Sequence, residues 1–162
     1  MQHKPFRVLA FDPGFERLGV AVLERQGGKE VLLYSACVRT SAALSFDRRL
    51  LNLGATVTNI IDEWQPSVVA LESLYFENNA KTAMNVAAVR GMLIYLGASH
   101  DCSVFEYTPL QVKVAVTGYG KSDKSAVARM VSRLIRLPTR KRLDDELDAI
   151  AIGLTCLAHT RA

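Results

Sequence analysis

The sequence predicts an α/β domain built on a mixed five-stranded sheet. Three observations carry that expectation. Short apolar runs separated by turn signals open the chain, and further apolar runs then alternate with segments of helical periodicity. The length of 162 residues with 49% hydrophobic content supplies one well-buried core but not two, so residues 1–162 are read as a single domain. Repeats, low-complexity tracts and linkers are not evident.

Each element has its own signal. Arg7 to Phe11 is a compact apolar run stopped by Asp12-Pro13-Gly14, too soon for a secretory leader, and reads as a first strand. Leu18 to Leu23 alternates before the turn pair Gly27-Gly28, and Glu30 to Val38 follows, giving a three-stranded antiparallel meander. Ser45 to Trp64 places Leu50, Leu53, Val57, Ile60 and Ile61 on one helical stripe that Pro66 ends. A strand covers Ser67 to Leu71. Asn79 suits the N-cap of a helix from Ala80 to about Gly97, whose small residues Ala83, Ala87, Ala88 and Gly91 fit close packing in a core or a dimer seam. Ser103 to Glu106 is a fifth strand, and Pro109 opens a short helix. Ser122 is the expected cap of a helix running to Leu137, and a last helix spans about Asp144 to Ala158.

Composition excludes several classes. Cys37, Cys102 and Cys156 are odd in number and lack CxxC spacing, which argues against a disulfide framework or a cysteine zinc site and for a reducing, cytoplasmic setting. The best membrane-span candidate, Met84 to Ala98, is interrupted by Arg90. The formal net charge is only +4, but its distribution is uneven. Between Tyr107 and Leu143 lie nine basic residues and the single acid Asp123, followed at once by Asp144, Asp145, Glu146 and Asp148. A solvated helix face ending in an acidic helix N-terminus accounts for each charge singly. A nucleic-acid hydrolase accounts for their adjacency, since cations hold phosphates and carboxylates hold metal.

Several residues are placed for chemistry. Asp12 ends the first strand beside Pro13-Gly14, where the bland alternative is an ordinary turn. Glu72 follows the buried run Val68-Val69-Ala70-Leu71, a costly place for a carboxylate unless it is exposed, paired or metal-bound. Asp145 and Asp148 share a helix face, and Asp144 lies four before Asp148, so spacing leaves either as its partner. Gly120-Lys121-Ser122 has the tail of a phosphate-binding loop, but Ala115 stands where the motif's first glycine belongs, and that reading is rejected. A turn presenting Lys121 and Lys124 to a nucleic-acid backbone fits better. Tyr75 and Phe76 sit in the segment after Glu72, where aromatics usually pack on the core but, if exposed, can stack on an unpaired base.

Taken in order, Phe11-Asp12-Pro13-Gly14, Ala70-Leu71-Glu72-Ser73-Leu74-Tyr75-Phe76, Val89-Arg90-Gly91, Gln111-Val112-Lys113 and Asp145 to Gly153 resemble the RuvC family of Holliday-junction resolvases over essentially the whole chain. The resemblance implies an RNase H-like fold, a homodimer, and symmetric nicking of four-way junction DNA with a divalent metal, normally magnesium. It implies acidic ligands at Asp12, Glu72, Asp145 and Asp148, site lysines at Lys113 and Lys124, and a junction-core aromatic at Tyr75, where some relatives carry phenylalanine. Asp144 leaves the third ligand ambiguous. The expected DNA contacts are Tyr75, Phe76, Asn79, Lys113, Lys121 and Lys124, and the implied partner is the RuvA–RuvB branch-migration complex. Carboxylates from distant segments suit Mg²⁺, with Mn²⁺ as a substitute, and two ions about 3.5–4 Å apart serve in-line hydrolysis to 5′-phosphate and 3′-hydroxyl ends. Competing readings are a nuclease of the same fold acting on RNA or RNA–DNA hybrid, and a non-catalytic junction-binding module.

Overall fold

The computed structural model describes residues 5–73 and 80–160. Strand β1 (Arg7–Asp12) is fully buried from Val8 to Phe11, the pattern of a central strand covered on both faces. It pairs antiparallel with β2 (Arg17–Gln26), which turns through Gly27 and Gly28 into β3 (Lys29–Arg39). Those glycines have φ of 56° and 81°, the two positive angles that a tight hairpin turn requires. Helix α1 (Phe46–Trp64) crosses to β4 (Val68–Glu72), parallel to β1, and α2 (Ala80–Ser99) crosses to β5 (Ser103–Tyr107), parallel to β4. The sheet order is β3-β2-β1-β4-β5, the mixed five-stranded arrangement expected. Helices α3 (Pro109–Thr117), α4 (Lys124–Leu134) and α5 (Asp144–His159) complete the described chain.

Strand alternation divides the core in two. Leu9, Phe11, Val20, Val22, Val69 and Leu71 face α1 and α2, while Val8, Ala10, Ala21, Leu23, Val68 and Ala70 face α3, α4 and α5. Helix α5 is buried from Ala149 to Leu157 and is seated on the sheet through glycine. A methyl group at Gly19 of β2 would overlap the carbonyl oxygen of Asp145, and one at Gly153 would overlap Leu23. Asp12, Gly19 and Glu72 share the parity of the α5-facing positions, so β1 and β4 end with their carboxylates beneath the first turn of that helix.

Two boundaries differ from expectation. The cap of α4 is Asp123, whose Oδ1 accepts from the Ala126 N–H at 2.7 Å, whereas the Ser122 hydroxyl pairs with that of Thr117 at 2.7 Å. Aspartate one residue closer to the helix competes for the same amide. That helix ends at Leu134 rather than Leu137. The expected cap Asn79 lies outside the described residues. Helix α3 begins as its sequence promised, with Thr108 and Gln111 forming a reciprocal capping box around Pro109. Among the described residues no helix is long and apolar enough to cross a membrane.

Candidate active site

The parallel register pairs Phe11 with Leu71, so Asp12 and Glu72 come next on adjacent strands. Both leave the sheet at the edge where the β1 and β4 backbones stop pairing with each other. Helix α5 approaches the same edge through Gly19, bringing Asp145 over Asp12. Asp148, one turn further along, is reached by Lys124 from the start of α4, with Nζ 2.9 Å from Oδ2. Glu72, Lys113, Lys124 and Asp148 line a cavity of about 320 Å³ whose apolar wall includes Val112, Val127 and Ile152.

The electrostatics of this cluster are those of crowded carboxylates. Burial, followed by the charges of Asp148, Glu72 and Asp145, pushes the Asp12 carboxyl up to about 7, against an opposing pull from Lys124. Burial and Asp148 also raise Glu72, opposed by Lys124 and Lys113. Asp148 is raised by burial more than its hydrogen bond to Lys124 lowers it. The ammonium of Lys124 is held above its usual range, first by that same hydrogen bond. One Oδ of Asp145 is buried without a hydrogen-bond partner, although Arg17 Nε stands 3.4 Å away as an ion pair.

Four carboxylates, one of them with a buried oxygen that accepts no hydrogen bond, fit a divalent cation such as Mg²⁺. Among the described residues, no three acidic, His or Cys side chains already stand at common ligating spacing.

The expected residues divide clearly. Asp12, Glu72, Asp145, Asp148, Lys113 and Lys124 gather at one sheet edge. Asp144 borders Lys124, Ser125 and Asp148 and is absent from the charges that act on Asp12, whereas Asp145 is among them. Lys121 sits exposed on the turn before α4, away from the cavity lining. Tyr75, Phe76 and Asn79 lie outside the described residues.

The basic segment also divides. Arg140 is turned onto Glu146, reaching Oε1 and, at 3.1 Å, Oε2, and it bonds the Ser35 carbonyl at 2.9 Å. Arg142 Nε is 3.4 Å from the same carboxylate and its side chain is only 6% exposed. Arg142 is thus committed to the protein's interior, whereas Arg140, its side chain 44% exposed, is engaged by Glu146 and Ser35 at the surface. Sequence reasoning missed Gly19 and Arg17, because a glycine in a strand and an arginine at its start acquire meaning only once the register is known.

The family model for crossover junction endodeoxyribonuclease RuvC matches residues 8–156. A protein of that name from Caldicellulosiruptor saccharolyticus is 40% identical over 150 residues, covering 91% of this chain and 90% of the relative. Its counterpart from Thermomicrobium roseum is 41% identical over 157 residues, covering 96% and 95%. The solved structure of T. thermophilus RuvC in complex with Holliday junction substrate superposes with a TM-score of 0.90 at 30% identity, covering 96% of this chain and 95% of that one. With the strand order, the gathered carboxylates and these matches in agreement, the chain belongs to the crossover junction endodeoxyribonuclease RuvC family.

Proposed function

We propose that this protein is an endonuclease of recombination and DNA repair that resolves four-way (Holliday) junctions by symmetric, metal-dependent phosphodiester hydrolysis. The single observation that carries the reading is the meeting of Asp12, Glu72, Asp145 and Asp148 with Lys113 and Lys124 at one sheet edge. The relative solved with a Holliday junction, alike over nearly the whole chain, supplies the substrate class.

In this reading Asp12, Glu72, Asp145 and Asp148 hold divalent metal, with Mg²⁺ as the expected ion, two per site, and Mn²⁺ as a substitute. The bound metal supplies an activated water and charge neutralisation for the departing 3′ oxygen. Asp12 and Glu72 act as rigid ligands, because each is the last paired residue of a buried strand, Asp12 opposite Gly19 and Glu72 opposite Tyr107. Asp145 and Asp148 are carried by a helix whose first turn packs directly against Gly19 of β2. Lys124 and Lys113 flank Glu72 on the cavity wall, where an ammonium can meet the charge that builds on the phosphoryl oxygens. The products are 5′-phosphate and 3′-hydroxyl ends.

Paired incision calls for a two-fold dimer, with one site per subunit meeting equivalent strands. Helix α2 suits the seam: Met84 and Tyr95 are 73% and 70% exposed, and Gly91 between them has open space above it. The chain acts as one domain in the cytoplasm, with Cys37, Cys102 and Cys156 outside any disulfide and RuvA–RuvB as its branch-migration partner.

Cleavage of a labelled four-way junction with a homologous core, beside linear duplex and RNA–DNA hybrid, in Mg²⁺ and in chelator, tests the reading. Paired, metal-dependent nicks confined to the junction are expected. Cutting of hybrid or linear DNA would overturn the substrate, and junction binding without cutting in Mg²⁺ or Mn²⁺ would leave a binding module.

A further inference from the structure

The sequence concentrates its cations between residues 107 and 143, yet β2 and β3 bring two more to the opposite flank of the carboxylates. In the antiparallel register Asp12 lies opposite Gly19 and Gly19 opposite Cys37, while Arg17 lies opposite Arg39. Side chains two positions apart on a strand share a face, so Arg17 and Arg39 stand on the α5 side of the sheet, at the edge where Asp12 ends β1. The observed interactions agree with that placement. Arg17 Nε is 3.4 Å from Asp145 Oδ2, and Arg17, Arg39 and Asp145 all act electrostatically on the Cys37 thiol between them.

Like charges placed directly across an antiparallel pair destabilise it unless something neutralises them. Asp145 compensates Arg17 only in part, since that guanidinium keeps 55% of its side-chain surface in solvent, and Arg39 is exposed as well. Two exposed arginines at paired positions of a strand end offer the charge and the donor forks that phosphodiester oxygens accept. Lys113 of α3 and Lys124 of α4 line the cavity beside Glu72 and Asp148, on the other flank of the carboxylates.

We infer that Arg17 and Arg39 form a second phosphate-binding flank of the site, gripping the DNA backbone on the β3 side of the scissile position. A strand drawn across the carboxylates is then held by cations at both ends. The inference rests on the reading that the site acts on DNA.

The test measures binding of the full-length protein to a four-way junction and to linear duplex in chelator, between 50 and 200 mM salt. Arg17→Ala, Arg39→Ala, the double alanine variant and Arg17→Lys/Arg39→Lys are compared with wild type. Each alanine is expected to reduce the slope of log affinity against log salt by about 0.9, and the double variant to bind roughly 10- to 30-fold more weakly at the lowest salt. The lysine pair is expected to keep most of the slope, which a merely structural role would not predict. Wild-type slope and affinity in the double alanine variant would overturn the inference. A reduced slope on linear DNA in a protein that ignores junctions would sustain the arginine flank while sinking the junction reading. Failure of wild type to bind either DNA would sink both.

Discussion

Helix α5 opens with acids that are neighbours in sequence and opposites in environment. Glu146 is 3% exposed and fully engaged, by Arg140, by Arg142 and by the Ser35 hydroxyl donating at 2.6 Å. Asp145 and Asp148, on either side of it along the chain, face Asp12 and Glu72 with a single hydrogen-bonded cation, Lys124, among them. One carboxylate is satisfied by the protein and fixes the α4–α5 connection to β3. The others are left short of positive charge, a state that costs stability and has value only if a cation from solution completes it. The fold tolerates that deficit beside a compensated pair one residue away, which separates the part of the turn that holds the structure from the part that does chemistry.

Breaking the uncompensated side should give the largest effect on function. Asp12→Asn is expected to lower junction cleavage in Mg²⁺ by on the order of 10³-fold, about 4 kcal/mol of transition-state stabilisation, while junction binding in chelator is kept. Retained cutting in a single-turnover assay would remove Asp12 from the ligand set. Breaking the compensated side should instead cost folding. Glu146→Ala leaves Arg142 buried without its counter-charge and is expected to destabilise by about 3–5 kcal/mol in urea unfolding. A loss under 1 kcal/mol would mean that the network is replaceable by water.

The sign of the pH dependence sharpens the contrast. The Asp12 carboxyl sits at about 7 when folded against an ordinary value of 3.8, so the folded state holds a proton that the unfolded chain releases. Its contribution is fully present below about pH 4 and is lost as pH rises through 7. Metal-free wild type should therefore weaken across that window, and Asp12→Asn should be the more stable protein at pH 8, by roughly 2–4 kcal/mol, with the gain vanishing toward pH 4. Glu72 and Asp148, both raised, act in the same direction. Thermal melts at pH 4, 6 and 8 in chelator would show it, and equal melting of the two proteins at pH 8 would remove the crowding argument. A smaller effect is expected at the seat of the helix. Gly19→Ala pushes against the Asp145 carbonyl and should cost about 1–3 kcal/mol, with cleavage reduced beyond what the stability loss explains. Cleavage unchanged by that substitution would show that α5 has room to adjust.

The legibility of the sequence follows from how local each signal is. Strand β1 and the hairpin at Gly27-Gly28 were readable because a buried apolar run and paired glycines act through their own backbone. The start of α3 was readable because a proline-opened helix declares itself locally. The α4 cap was misplaced by one residue because Ser122 and Asp123 offer nearly the same hydrogen bond, and only the actual backbone path decides between them. Glu72 stood out as a charge after a buried run, and the resemblance supplied its companions.

What the sequence determined by itself is the alternation of strands and helices, the presence of acids at strand and helix ends, and a strongly basic segment before α5. Tertiary structure decided which charges meet. Only the seating of α5 on Gly19 separates Asp145, which acts on Asp12, from Asp144, which borders Lys124. Only the return of the α4–α5 connection to β3 brings Arg140 and Arg142 onto Glu146, and only the β2–β3 register sets Arg17 against Arg39. The physical reason is range: propensity and patterning act over a few residues, whereas the energy of a charge depends on neighbours brought from anywhere in the chain.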